Sequence, residues 1–277
     1  MSMPHQDLAD PSLLIDVEHN FAEEMACFAR HAPNGKLHED GELQWFSLGP
    51  DGPNGLLITS FPAHDAAYIH QRIDDIIQHF KNLHAQNIGW RIGPTTTPTD
   101  LSNYLKAHGF QYSTTVGCMI LHAAQLQIPT QIQSPEGLTI TEVLDTSTLR
   151  IKCAVEQRGF SVTEQIAESY FYTYSASGFG ADKAWHHYVA WLDGQAAGVA
   201  SLLLHRGVAG IYGVTTLPEV RRQGIGTALT QHVIQEAQKY GYPITTLSNT
   251  EMSEALYHRL GFQNYCLFHH YGLSFIE

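Results

Sequence analysis

Apolar side chains recur at helical spacing in three long stretches of the chain. Residues 13–31 carry Leu14, Val17, Phe21, Met25 and Phe28 on one face. Residues 66–83 carry Ile69, Ile73, Ile76, Ile77 and Phe80. Residues 225–240 carry Ile225, Leu229, Val233 and Tyr240, with Ala228 and Ala237 beside them. Each predicts an amphipathic helix. Shorter helical patterns cover 101–108, 146–158, 163–175 and 254–260. Thr99 or Asp100 is placed to cap the helix that ends at Gly109. Strand-like runs cover 43–48, 55–61, 90–92, 138–143, 185–192, 195–204, 208–216 and 244–248. Residues 110–121 read as one or two strands, and 265–275 as one strand or a pair. Residues 35–40 read as loop. The turn 49–54 and the Asp193-Gly194 pair are hairpin signals.

Between these halves, residues 125–137 are rich in Gln and Pro with little apolar periodicity, and predict a linker. The organisation expected is therefore a domain over 1–124, a linker over 125–137 and a second domain over 138–277.

The chemistry concentrates at one junction. The strand 208–216 runs into Leu217-Pro218, and Pro218 cannot continue a ladder. Then come Arg221-Arg222-Gln223-Gly224-Ile225-Gly226 and the helix 225–240. A helix N-terminus offers unpaired N–H groups and the positive end of its dipole to an anion. Two glycines let a phosphate approach the backbone, and two arginines add charge. No Lys-Ser/Thr follows the second glycine, so this is not a Walker loop. Two closely spaced glycines do not make a dinucleotide fingerprint either.

Arg-x-x-Gly-x-Gly between a strand and an amphipathic helix resembles the pyrophosphate loop of the GCN5-related N-acetyltransferases (GNAT). A second patch, Thr250-Glu-Met-Ser-Glu-Ala-Leu-Tyr257-His-Arg-Leu-Gly261-Phe262, resembles that family's later motif, a Leu-Tyr pair on a short helix closed by Gly-Phe. The resemblance covers roughly 138–277. It implies an α/β (α+β) acyl-CoA N-acyltransferase fold, with a mixed, mostly antiparallel sheet flanked by helices. The first half resembles a degenerate copy. Its Leu105-Lys106-Ala107-His108-Gly109-Phe110 matches the stretch from Tyr257 to Phe262, with Leu105 where the tyrosine stands. Before its long helix stands Phe61-Pro62-Ala63-His64-Asp65, without glycine or arginine. Two tandem GNAT-like domains are thus expected.

The resemblance also assigns roles. Backbone groups of Val214, Thr215 and Thr216 would bind the acetyl carbonyl and the pantetheine arm. Arg221, Arg222, Gln223, Gly224, Ile225, Gly226 and Thr227 would take the pyrophosphate. Asn249 would lie against the coenzyme, although it stands one residue farther from the Leu-Tyr pair than in the commonest pattern. Tyr257 would be the general acid, since a phenol with a pKa near 10 is a proton donor at neutral pH. The general base is open among His186, His187, Glu142, Asp182 and Glu219, or a water chain. His186 and His187, being adjacent on a strand, point to opposite faces.

Composition narrows the partners. The 277-residue chain has a formal net charge of −12, which disfavours nucleic acid and anionic membranes. The 17 histidines show no metal-ligand spacing. The four cysteines are far apart, as expected of reduced thiols in a cytoplasmic protein. The first ten residues are not a signal peptide, and no apolar run is long enough to span a membrane. The reading is an acetyl-CoA-dependent N-acetyltransferase that needs no metal. It acts by direct transfer on a primary amine of a small molecule or peptide, as a monomer or homodimer. The alternative is a non-catalytic acyl-CoA-binding sensor or regulatory module. A nucleotide-binding hydrolase or kinase is disfavoured by the missing Lys-Ser/Thr and the lack of an acidic metal site.

Overall fold

A computed structural model describes residues 3–61, 65–127 and 134–276. The first half runs α1 (Leu13–His31), β1 (Lys36–Glu39), β2 (Leu43–Ser47), β3 (Asn54–Thr59), α2 (Ala66–Asn82), β4 (Asn87–Ile92), α3 (Leu101–Ala107) and β5 (Gln111–His122). The second runs β6 (Leu138–Glu142), α4 (Thr146–Phe160), α5 (Glu164–Ser177), β7 (Trp185–Leu192), β8 (Gln195–His205), β9 (Val208–Thr216), α6 (Ile225–Lys239), β10 (Ile244–Asn249), α7 (Glu251–Arg259) and β11 (Gln263–Ser274).

These elements form two compact units. One comprises residues 1–20 and 118–265, the other 21–117 and 266–277. The divisions fall inside α1, β5 and β11. Part of the expected linker, 128–133, lies outside the described residues, as do 62–64 of the stretch before α2. In the unit built mainly from the second half, the strand order is β5-β10-β9-β8-β7-β6. In the other it is β1-β2-β3-β4-β11-β5. Each has one parallel pair, β9–β10 and β3–β4 respectively, among antiparallel neighbours. This is the mixed, mostly antiparallel α/β architecture expected from the sequence.

Local chemistry explains the boundaries. Asp65 caps α2 by accepting from the Tyr68 N–H, and Asp145 and Thr163 do the same for α4 and α5. The β7–β8 hairpin turns at Asp193 and Gly194, with φ of 50° and 78°, as a tight hairpin turn requires. The core of the first-named unit packs Leu229, Val233, Ile234 and Ala237 of α6 onto Tyr188, Ala200, Leu202 and Ile211 of its sheet. The other packs Ile69, Ile73, Ile76 and Phe80 of α2 onto Leu56, Ile88 and Trp90.

Four expectations change in detail. The stretch read as loop over 35–40 contains β1, a strand whose residues are only half-buried or exposed and whose one apolar side chain, Leu37, gives no alternation to read. β4 begins at Asn87 rather than at 90. Residues 110–121 and 265–275 each contain a single long strand. α7 starts at Glu251, three residues early, because Ser253 accepts from the Thr250 N–H and opens the helix there.

Candidate active site

The pairing of β9 with β10 ends at Ile211 and Leu247, yet β9 continues to Thr216 and β10 to Asn249. Beyond that point the two parallel strands share no ladder. Just past the divergence β9 has a bulge. Val199 opposes Thr215 and Ser201 opposes Tyr212, so Gly213 and Val214 together face Ala200. Gly213 takes φ of 60° there, the left-handed region.

At the C-terminal end of β9 the loop turns into α6. Arg222 and Gly224 both have positive φ, 67° and 86°. The N-cap is Gly224, and no side chain caps the helix. No side chain at the cap takes the first N–H groups of α6, which are open to solvent or a ligand. A Cβ added to Gly226 would meet no protein atom within 4 Å, so protein packing gives no reason for glycine there. Arg221 is committed to the scaffold: Nη2 donates to the Gly159 carbonyl at 2.8 Å and Nε to the Thr216 carbonyl at 3.4 Å. It ties the loop to the last turn of α4 and the end of β9. Arg222 and Gln223 are exposed. Ile225 and Thr227 are buried and anchor the first turn of α6.

Val214 and Thr216 are half-buried, and Thr215 is buried under α4, where Gly159 fits against its Oγ1. Asn249 ends β10, and its Oδ1 is enclosed without a hydrogen-bond partner. Tyr257, on α7, is 7% exposed and packs edge-on against Phe262 at 5.7 Å. Burial pushes its phenol up to about 12, so it holds its proton across the neutral and alkaline range.

The base candidates separate. His186 and His187 do face opposite sides of the sheet. His186 shares Nδ1 with Glu142 Oε1 at 2.8 Å and the Tyr240 hydroxyl at 3.3 Å, on the side covered by α6. His187 is buried on the other side, with Nδ1 2.9 Å from Ser201 Oγ. Burial first, then the charge of Lys152, holds its pKa well below the ordinary value, so it is a neutral imidazole. Glu219 is exposed and bound by Arg158 at 2.6 Å, and exposed Asp182 pairs with Lys183 at 3.1 Å.

Sequence reasoning passed over Lys152 and Glu156 of α4. They form an ion pair at 2.6 Å with side chains 0% and 2% exposed. A lysine and a glutamate four residues apart on a helix carry no local signal of burial, although they share a face with Leu149 and Gly159, which the fold buries.

Comparison with known proteins puts a family to this arrangement. Residues 160–262 match the model of the acetyltransferase (GNAT) family. This segment is a GNAT domain. It spans the glycine loop and both motifs of the site. Among solved structures, the chain is similar to a GCN5-related N-acetyltransferase from Kribbella flavida, at 19% identity and a TM-score of 0.71, covering 95% of this chain and 96% of that one. It is also similar to a tandem GNAT protein from the clavulanic acid biosynthesis pathway, at 14% identity and a TM-score of 0.65, covering 98% and 97%. A GCN5-related N-acetyltransferase from Sphaerobacter thermophilus gives 16% identity and a TM-score of 0.63, covering 99% and 95%. At these identities the likeness shows the fold, and it extends over nearly the whole chain. No curated protein matches. GNAT proteins are in general acyl-CoA-dependent N-acetyltransferases with acetyl-CoA as co-substrate. Among the described residues, no helix is long and apolar enough to cross a membrane, and no cluster of three or more His, Cys, Asp or Glu could hold a metal ion.

Proposed function

We propose that this protein is an acetyl-CoA-dependent N-acetyltransferase that moves an acetyl group directly to a primary amine. The observation that carries the reading is the uncapped N-terminus of α6 beside the divergence of β9 and β10. Three features of the chain fit the coenzyme. The first N–H groups of α6 have no capping side chain. Gly226 leaves open space where a Cβ would stand, as close approach of a phosphate needs. Asn249 holds an enclosed acceptor with no partner, ready for an amide N–H of the pantetheine arm.

In this reading Gly224, Ile225, Gly226 and Thr227 give backbone N–H groups to the pyrophosphate. Arg222 and Gln223, both exposed, add side-chain contacts, while Arg221 holds the loop in shape through Gly159 and Thr216. Val214, Thr215 and Thr216 offer backbone groups to the thioester and the arm. Bound acetyl-CoA supplies the activated acyl carbon. Tyr257 gives its proton to the departing sulfur, and burial keeps that proton in place until it is needed. Residues 1–124 serve as the degenerate domain, 125–137 as linker and 138–277 as the catalytic domain, with one coenzyme per chain.

The test is twofold. Calorimetry with acetyl-CoA should show one site per chain. A panel of primary amines should include at least one that releases free thiol from acetyl-CoA in an enzyme-dependent way. Coenzyme binding without any thiol release would leave the protein as an acyl-CoA-binding module and refute the transferase reading.

A further inference from the structure

Gly159 is buried in the last turn of α4, where glycine is a poor helix former. Its surroundings say what the missing side chain is for. A Cβ built on it would stand 2.5 Å from Thr215 Oγ1, 2.7 Å from Thr215 Cγ2 and 3.1 Å from Thr215 Cβ. No rotamer of Thr215 relieves that. Two of the three staggered positions on its Cβ face Gly159, and threonine fills two of the three. One heavy atom therefore always remains in the way. Glycine is what lets α4 lie directly on the end of β9.

That closeness also serves the helix end. The last four carbonyls of a helix have no partner within it. In α4 the Gln157 carbonyl accepts from the N–H groups of Ser161 and Val162. The Gly159 carbonyl accepts from Arg221 Nη2 at 2.8 Å. A guanidinium suits this position, a cation at the negative end of the helix dipole. The same side chain reaches the Thr216 carbonyl through Nε. Gly159 thus meets the transfer site twice, at the side chain of Thr215 and at the arginine that shapes the glycine loop. Its neighbour Arg158 makes a third, exposed link, to Glu219 in the turn between β9 and that loop, at 2.6 Å.

We propose that Gly159 is a positioning residue for acetyl transfer. It touches no coenzyme, and it sets both the end of β9 and the glycine loop in the geometry the coenzyme needs. The inference rests on the transferase reading and goes beyond it, because that reading assigns no role to α4. A side chain at 159 would force α4 and β9 apart. The Gly159 carbonyl would leave Arg221, and Thr215, whose backbone is assigned to the thioester and the pantetheine arm, would shift. Both halves of the coenzyme's contact surface would then move at once. A misplacement of about 1 Å from a distant change is enough to cost a site about 100-fold.

The experiment is calorimetry with acetyl-CoA at low and high salt, with a thermal melt of each sample. Gly159→Ala should lose about tenfold or more in affinity. The ratio to wild type should be the same at both salt concentrations, because no charge has changed. Thr215→Ala removes the two nearest clashing atoms, so Gly159→Ala/Thr215→Ala should recover to within about threefold of Thr215→Ala alone. Arg158→Ala cuts only the exposed link and should change affinity by less than about twofold. A glycine that served folding alone would move the melting temperature and leave the affinity of the folded protein unchanged. That result, a double variant no better than Gly159→Ala, or an equal loss in Arg158→Ala would each overturn the proposal. Arg221→Ala breaks the same tie from the loop side and covers the case in which Gly159→Ala does not fold. Its loss should persist at high salt. A loss that salt abolishes would make Arg221 a phosphate contact and overturn the positioning role. Failure of the wild type to bind acetyl-CoA would instead sink the transferase reading on which the inference rests.

Discussion

The two units contain the same parallel-strand junction, and they finish it in opposite ways. In one, β9 and β10 pair only as far as Ile211 and Leu247. In the other, β3 and β4 pair only at Gly55–Gly89 and Leu56–Trp90. Past β4 the second gap is filled from within. Arg91 donates from Nε and Nη2 to the Leu57 carbonyl at 3.1 and 3.0 Å, and Trp90 Nε1 donates to Thr59 Oγ1 at 2.9 Å. Thr97 then pairs with the end of β3, donating to the Thr59 carbonyl and accepting from the Phe61 N–H. At the helix that follows, the Asp65 carboxylate caps α2 and occupies the place an anion would take. Past β9, by contrast, the helix cap is a glycine with nothing to donate or accept from its side chain, and Asn249 keeps an unpaired oxygen. The same backbone plan is thus satisfied internally in one unit and left to an outside partner in the other. In the proposed reading, the coenzyme site is the place where the fold omits its own side chains.

The sharpest way to break this comparison is to fill the open junction. Gly224→Val puts a branched side chain at a φ of 86°, where only glycine is unstrained, and at the mouth of the loop. Calorimetry on the folded variant should detect no acetyl-CoA binding. Unchanged affinity would show that the loop is not the coenzyme's anchor. Wild-type stoichiometry should be one per chain, because the Asp65 carboxylate stands at the start of α2 where a phosphate would have to sit. A value of two would erase the distinction between the units.

The second contrast is on the helix that follows each junction. α7 presents Tyr257, whereas α3 presents Leu105, fully buried. Tyr257→Phe removes only the hydroxyl and should lower kcat by about 10²–10⁴-fold, with coenzyme affinity nearly unchanged. The pH profile carries a second signature. A phenol raised to about 12 does not ionise below pH 10, so Tyr257 contributes no basic limb in the accessible range. A limb near pH 9 that vanishes in the Phe variant would show a phenol far less enclosed than this one. Equal kcat values, with chemistry limiting, would return Tyr257 to packing.

Much of this was legible beforehand, and the reasons differ by element. The long helices and the β7–β8 hairpin were readable because apolar period and turn chemistry are local. Asp193-Gly194 needs no tertiary contact to set its turn. The glycine loop was readable for the same reason. Filling of the β3–β4 gap was not, since Arg91 reads as an exposed polar residue in a short strand until its partner, the Leu57 carbonyl, is known. Lys152 and Glu156 at i and i+4 look like a solvent-exposed helix pair. Only the packing of α4 against β9 buries them. Nor does any local pattern reveal that β5 and β11 each run from one unit into the other. Pairing partners decide that, and they are distant in sequence.

A smaller effect tests the cap itself. Asp65→Ala removes the carboxylate that accepts from Tyr68 N–H and should cost about 0.5–2 kcal/mol of stability. Acetyl-CoA affinity should not change, because in the proposed reading the coenzyme sits at the other junction. Denaturant melts and calorimetry on the same sample would check both halves. A fall in affinity with intact folding would mean that this junction takes part in binding.

The smallest expected effect sharpens the contrast most finely, by separating charge from backbone geometry in the open loop. Arg222 is exposed and held at a φ of 67°, a conformation that costs a non-glycine residue free energy. Its neighbour Arg221 is tied to two carbonyls and holds the loop, so of the two arginines Arg222 is the one the proposal leaves to the phosphates, beside Gln223 and the backbone N–H groups. Arg222→Gly relieves the backbone and removes the charge in one step. Thermal stability should therefore stay the same or rise, while acetyl-CoA affinity falls by about two- to fivefold, the range expected for one exposed charge acting on an anion at a helix N-terminus. The difference from wild type should shrink as salt is raised, because an exposed pair is screened. Arg222→Ala provides the control, with the same lost charge but without glycine's backbone relief. If the two variants lose affinity equally and only the glycine variant gains stability, the arginine acts through its charge. If the alanine variant binds as tightly as wild type at low salt, the backbone alone holds the pyrophosphate.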